Sequence, residues 1–165
     1  MPTPIDRFSR FCGRIVAWLT LFMVLVMFLV VVLRYAFDVG FIWLQESVTW
    51  MHATVFMLGA AYALASDEHV RVDVFYREFT PARKAIVDIA GVLLFLAPLC
   101  AVLAWSAWDF VAASWSLKEA SRESGGLPFP LVPMLKSVLL LMPAALLLQG
   151  FSIVLRGIRV LRSRP

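Results

Sequence analysis

The chain has 165 residues, of which 62% are hydrophobic and 16% charged, with a formal net charge of +4. A soluble domain is about 45–50% apolar by a similar count, so one small core cannot bury this much apolar surface. Together with a mean hydropathy of +0.86, the composition excludes an ordinary soluble domain and indicates an integral membrane protein.

Four stretches of the sequence are long and apolar enough to cross a membrane. None contains Asp, Glu, Lys or Arg: residues 15–33, 47–66, 89–108 and 137–155. Each has about 19–20 residues, which as a helix covers roughly 28–30 Å, close to the ~30 Å hydrocarbon core of a bilayer. We therefore predict an all-α integral membrane protein with one four-helix domain over residues 1–165. The predicted helices cover residues of about 15–34, 42–66, 82–118 and 134–157.

Basic residues flank these helices unequally. Eleven of them lie on one predicted side of the membrane: Arg7, Arg10, Arg14, Arg71, Arg77, Arg83, Lys84, Arg156, Arg159, Arg162 and Arg164. The other side has Arg34, Lys118, Arg122 and Lys136. Because cytoplasmic loops carry the excess of Lys and Arg, both termini are expected in the cytoplasm. The basic residues form no separate patch, so they predict contact with membrane lipid and no nucleic-acid partner.

The N-terminal flank is amphipathic. Pro4 suits a first helical position, and Ile5, Phe8 and Phe11 share one helical face, opposite the arginines. This pattern favours a short helix on the cytoplasmic surface, although a simple basic flank is the alternative. The apolar run that follows is too long for a typical signal peptide, so we expect the first helix to stay attached.

The second predicted helix carries polar residues near its outer end. Trp43, Glu46 and Trp50 lie there, and His52 lies within the membrane segment. Glu46 has three interpretations: a carboxylate favoured by the helix N-terminus, a buried polar contact to Arg34 or a partner subunit, or a proton-coupling site. The position near the membrane edge favours the first two.

The inner half of this helix and the connection after it are also unusual. Gly59 and its alanine neighbours give a small surface, which allows close helix packing within the chain or against another protein. The following connection combines His69, Arg71 and Asp73 with regularly spaced valines. It is expected to be an interfacial connector or a partner-docking element.

The third and fourth helices are plainer. Pro81 marks the start of the third helix, and Pro98 predicts a kink within it. Trp115 marks the outer membrane interface, beyond which the helix is expected to project. The proline-dense residues 127–133 predict an extended approach to the fourth helix.

The sequence offers little for catalysis. It has no glycine-rich phosphate loop, and the two histidines, His52 and His69, lie too far apart along one helix axis to share an iron. Cys12 and Cys100 are expected as free thiols. We therefore predict no enzyme, no cofactor and no metal site.

Several of these residues occur in a familiar order. Arg34-Tyr35-Ala36-Phe37, Trp43-x-x-Glu46, Leu58-Gly59-Ala60-Ala61 and His69-Val70-Arg71-Val72-Asp73 follow one another. In this order they resemble the small membrane subunit (DctQ-like family) of tripartite ATP-independent periplasmic (TRAP) transporters. One departure is Gln45, where a second acidic residue is expected beside Glu46.

The resemblance implies a noncatalytic small permease subunit in the bacterial inner membrane. It would brace a large membrane subunit during sodium-coupled uptake of an organic acid, delivered by a periplasmic binding protein. Candidate contacts with the large subunit are Arg34, Trp43, Glu46, Trp50, Gly59, His69, Arg71 and Asp73. Candidate contacts with the binding protein are Trp115, Lys118 and Arg122.

Two other classes of function stay open from the residues alone. One is a small autonomous four-helix exporter coupled to protons, which requires a titratable carboxylate deep in a helix. The other is the membrane anchor of a redox complex. The absence of a self-sufficient transport site favours the transporter subunit over both.

Overall fold

The computed structural model describes residues 4–66 and 76–163. Five α-helices are present in this part of the chain. They are α1 (Pro4–Ala36), α2 (Ile42–Ala65), α3 (Pro81–Gly91), α4 (Ala97–Ser116) and α5 (Leu131–Arg162). A π-helical turn, Val92–Leu96, joins α3 to α4, so that Pro81–Ser116 forms one continuous third span.

The prediction of an all-α protein with four membrane-spanning helices is confirmed. The described residues contain no strand, and α1, α2, the third span and α5 are each long and apolar enough to cross a membrane. The cytoplasmic placement of both termini stays a prediction. We use "outer end" for the end of the bundle where α1 ends and α2 begins, following that predicted topology.

The N-terminal segment differs from the prediction of a separate short interfacial helix. Residues 4–14 continue without a break into the first span. The Ser9 hydroxyl donates a hydrogen bond to Gln149 of α5 at 3.1 Å, and both side chains are buried. At Gly13, an added Cβ would collide with the ring of Tyr62 in α2. This segment therefore packs against the bundle because two neighbouring helices hold it there.

The third span changes its hydrogen-bond register immediately before Pro98. The Ala97 N–H donates to the Val92 carbonyl, five residues earlier instead of four. Proline has no N–H and crowds the carbonyl four residues before it, and a π-turn is one way a helix accommodates such a position. The sequence predicted a kink here, and the structure places a π-turn here.

Helix α5 lies at the centre of the bundle and packs against α2, the third span and the start of α1. Gly150 allows the π-turn to approach, since an added Cβ would lie 2.9 Å from Leu96. The buried core joins Ala61 of α2, Cys100 of α4 and Leu146 of α5. Helix α1 packs mainly along α2, at the edge of the bundle.

The four spans are buried to very different extents. Within its most apolar window, the third span has 6% of its residues buried and α1 has 11%, against 28% for α2 and 33% for α5. Most side chains of α1 and the third span therefore face lipid or another membrane protein.

Candidate functional site

The main polar site lies at the outer end, where the α4–α5 connection folds over the start of α2. The Ser121 hydroxyl donates to Glu46 Oε1 at 2.5 Å, and the Leu127 N–H donates to Glu46 Oε2 at 2.6 Å. The Trp43 N–H donates to the Gly125 carbonyl at 3.1 Å. We call Glu46, Ser121, Gly125 and Leu127 the outer clasp, because they join the connection to α2.

The glycines let the connection turn tightly enough to form the outer clasp. Gly125 has a φ of +79°, a left-handed conformation that costs glycine little. At Gly126, an added Cβ would collide with Ser121 and lie 2.8 Å from a Glu46 oxygen. The Ser121 N–H also donates to the Leu127 carbonyl at 2.9 Å, which closes the loop on itself. The carboxylate of Glu46 thus satisfies a buried N–H that would otherwise lack a partner.

A second polar group lies beside the outer clasp and ties α4 to α5. Glu119 accepts hydrogen bonds from the Lys136 ammonium at 2.5 Å and from the Ser114 hydroxyl at 2.6 Å. The Lys136 Nζ also lies 4.0 Å from the centre of the Phe110 ring, a favourable cation–π distance. The hydrogen bond from Lys136, followed by the one from Ser114, lowers the pKa of the Glu119 carboxyl.

Two tryptophans connect the same region to the start of α5. The Trp50 indole N–H donates to the Leu131 carbonyl at 3.1 Å, at the first residue of that helix. The Trp115 indole N–H donates to the Ser137 hydroxyl at 2.9 Å. The two indole groups therefore join the outer ends of α2 and α4 to the first turns of α5.

The residues predicted to contact the large subunit differ in their exposure and in their contacts. Both oxygens of Glu46 bind the chain's own connection and not Arg34, which lies exposed at the end of α1. Trp43 is 48% exposed, whereas Trp50 is half-buried. Gly59 has open space where a side chain would project. Roles of these residues in subunit contact stay predictions; His69, Arg71 and Asp73 lie outside the described residues.

The residues predicted to contact a binding protein lie together on the outer surface. Lys118 and Arg122 are exposed, and Lys118 has a positive φ of +49° in the turn that ends α4. Trp115 is 42% exposed, with its indole N–H bonded to Ser137. Of the three, the two cations are therefore available to an acidic partner surface.

At the inner end, α3 carries a smaller polar group. The Tyr76 hydroxyl lies 3.1 and 3.0 Å from the two oxygens of Asp88. The Lys84 ammonium lies 5.2 Å from the Tyr76 ring centre. Thr80 caps the helix by accepting from the Arg83 N–H. These contacts fix the start of the third span beside a cavity of about 360 Å³.

The arrangement is suited to holding helices together. Within residues 4–66 and 76–163, no group of three or more His, Cys, Asp or Glu side chains could hold a metal ion. Cys12 and Cys100 are free thiols. The carboxylates of Glu46 and Glu119 both accept hydrogen bonds from the chain's own groups, which is a structural use of these side chains.

Several partners in this site have no signal in the sequence. The Ser121 hydroxyl lies 75 residues from Glu46 and the Leu127 N–H lies 81 residues away, so neither contact produces a local pattern. The Glu119–Lys136 pair had a usable signal: opposite charges flank the connection between two predicted helices. The paired glycines at 125 and 126 were a second signal, since they indicate a tight turn.

Comparison with known proteins gives one family. A family model described as "Tripartite ATP-independent periplasmic transporters, DctQ component" matches residues 23–160. No curated protein and no solved structure matches the chain. The matched residues include all the described polar groups of the outer end.

The outer clasp predicts a local effect of removing Glu46. Glu46→Ala leaves the buried Leu127 N–H without an acceptor, at a cost of about 1–3 kcal/mol. We expect faster amide hydrogen exchange over residues 119–127, measured by mass spectrometry, with little change in α1. Glu123→Ala is the matched control, because Glu123 is an exposed carboxylate in the same connection. Equal exchange in the two variants would contradict the role of Glu46.

The lowered pKa of Glu119 predicts a pH-dependent contribution to stability. Because the pKa in the folded state lies below its ordinary value of 4.5, the charged form stabilises the fold. This stability is fully present above pH 4.5 and is lost as the pH falls through the folded-state pKa. In detergent, the thermal midpoints of wild type and Glu119→Gln should therefore differ by a constant amount above that pH and converge below it. A gap that stays constant down to pH 3 would refute this linkage.

Proposed function

The chain belongs to the DctQ component family of tripartite ATP-independent periplasmic transporters, and we propose that it braces the large membrane subunit of such a transporter. As a family member it is a small membrane permease subunit, a transporter component and not an enzyme. We propose further that the complex takes up an organic acid in a sodium-coupled, binding-protein-dependent manner in the bacterial inner membrane.

The outer clasp is the observation that best supports a bracing role. A subunit that carries substrate needs polar groups free to bind and release it. Here the carboxylate of Glu46 is held by Ser121 and the Leu127 N–H, both within the chain. A fixed outer end suits a subunit that keeps its shape while a neighbouring subunit moves.

The same geometry argues against an autonomous proton-coupled exporter. That function requires a carboxylate that exchanges protons along a path through the membrane. Glu46 lies four residues after the start of α2 and accepts two short hydrogen bonds. It is therefore placed to hold the outer end together and not to carry protons across the bilayer.

Two partner surfaces are proposed on this chain. Arg34 and Trp43 at the outer end, together with the small surface at Gly59, are proposed contacts with the large subunit. His69, Arg71 and Asp73 are proposed contacts near the inner end on the strength of the family motif alone. The periplasmic binding protein is proposed to dock near Trp115, Lys118 and Arg122.

Reconstitution tests the proposed function. We expect proteoliposomes that contain this chain and the large subunit to accumulate the organic acid bound by the cognate binding protein, in the presence of a sodium gradient. Omission of this chain should abolish uptake, and this chain alone should give none. Full uptake by the large subunit without this chain, or uptake by this chain alone, would contradict the proposal.

Charge reversal tests the outer docking surface. Lys118→Glu together with Arg122→Glu should raise, severalfold, the concentration of binding protein needed for half-maximal uptake, because two exposed cations would be replaced by anions. Arg83→Glu is the matched control, since Arg83 is exposed at the opposite end. An unchanged requirement in the double variant would place the docking surface elsewhere.

A further inference from the structure

A groove runs between α1 and α2 in the outer half of the bundle. Its volume is about 560 Å³, and Met23, Met27 and Val31 form much of its α1 wall, while Thr49 and His52 lie on its α2 wall. Helix α1 packs along α2, and the closest approach at a glycine is at the inner end, where Gly13 faces Tyr62.

The groove is a little over two helical turns long. Its α1 wall extends from Met23 to Val31, which is about 12 Å along the axis at 1.5 Å per residue. The lining positions on each helix repeat at intervals of three to four residues, so they form one continuous face. Such a face between two antiparallel helices receives the side chains of a third helix lying alongside.

The α2 wall presents two polar side chains that have no hydrogen-bond partner in the described part of the chain. His52 and Thr49 are exposed, and neither makes a hydrogen bond or ion pair with any of the residues 4–66 and 76–163. Their neighbours on α2 behave differently. Ser47 donates to the Leu44 carbonyl at 2.7 Å and Thr54 to the Trp50 carbonyl at 2.9 Å.

The depth of these side chains makes the missing partner costly. His52 follows Glu46 by six residues, which places it about 9 Å deeper along the helix. At this depth lipid chains cannot accept or donate hydrogen bonds, so ionisable side chains in spans almost always face protein or a water-filled cavity. In the assembled complex, the groove is therefore a poor surface for lipid.

The other exposed face of the bundle is apolar over most of its length. The third span exposes apolar side chains such as Leu94, Phe95 and Val102, which lipid covers without leaving polar groups unpaired. Exposed polar side chains such as Ser106 and Asp109 follow in about the last three turns of α4. In the α1–α2 groove, the exposed polar side chains lie on the wall of a cleft of about 560 Å³.

We propose that the α1–α2 groove receives a transmembrane helix of the large subunit, which offers a hydrogen-bonding side chain to His52. This inference rests on the proposed function and names the face through which the two subunits meet. The side chain is a Ser, Thr, Asn or Gln, since these residues form hydrogen bonds between helices within a bilayer. The two methionines of the wall adapt to the shape of the entering helix.

Photo-crosslinking in the intact complex tests this placement. Benzoyl-phenylalanine is introduced at Met27 in the groove or at Leu94 on the third span, two positions that are both well exposed in the chain. After irradiation in membranes, the proposal predicts an adduct with the large subunit from position 27 and none from position 94. An adduct from position 94 alone, an adduct between two copies of this chain, or lipid adducts only would overturn it.

Substitutions of His52 test the hydrogen bond itself. His52→Leu should weaken retention of the large subunit about threefold to tenfold in mild detergent, the effect of one hydrogen bond between helices in a membrane. His52→Gln keeps hydrogen-bonding capacity and should restore most of the retention. Equal retention by wild type, His52→Leu and His52→Gln would overturn the role of His52.

The same experiment separates the two proposals. If the wild-type chain fails to retain the large subunit at all, the proposed function itself is wrong. If the wild type retains it but the adduct forms only from position 94, the proposed function stands and the assignment of the groove fails. A chain with Leu94→Ala is the matched control for a substitution on the exposed third span, and it should retain the large subunit as wild type does.

Discussion

The requirement that polar groups find partners when water is excluded governs this structure. At the outer end, the carboxylate of Glu46 is the hydrogen-bond acceptor for polar groups of the α4–α5 connection. Its two oxygens accept from Ser121 and from the Leu127 N–H, and so bind the α4–α5 connection to α2. The Glu119–Lys136 pair and the indole of Trp50 extend the same network to α5. Apolar packing between helices is non-directional, whereas hydrogen bonds need a fixed geometry. These polar contacts therefore define how the outer ends of the helices are joined.

Much of the fold could be predicted from hydrophobic runs, because a bilayer demands a fixed length of uncharged helix. The N-terminal segment could not, since its amphipathic pattern suits both a membrane surface and a bundle. The hydrogen bond from Ser9 to Gln149 decides for the bundle, and that bond joins residues 140 positions apart. The outer clasp could not be predicted for the same reason. A helix N-terminus alone accounts for a carboxylate at Glu46, and its actual partners come from the distant α4–α5 connection.

The four spans are buried unequally, and the less buried spans are the ones that leave surface for lipid or a partner subunit. Helices α2 and α5 are the most buried spans of the bundle, whereas α1 and the third span leave broad apolar faces exposed. His52 is an exposed imidazole within the membrane segment and has no hydrogen-bond partner among the described residues. Because lipid chains offer no such partner, His52 is the basis on which we propose that the α1–α2 face meets protein.

We propose that this chain is a rigid small subunit that binds the large subunit through the α1–α2 groove. The most direct measurement is a cryo-electron microscopy structure of the two membrane subunits together in a lipid nanodisc. We expect an intact hydrogen bond from the Leu127 N–H to Glu46, and a helix of the large subunit lying in the groove within hydrogen-bond distance of His52. Lipid density in the groove, with the large subunit packed on the third span, would contradict it.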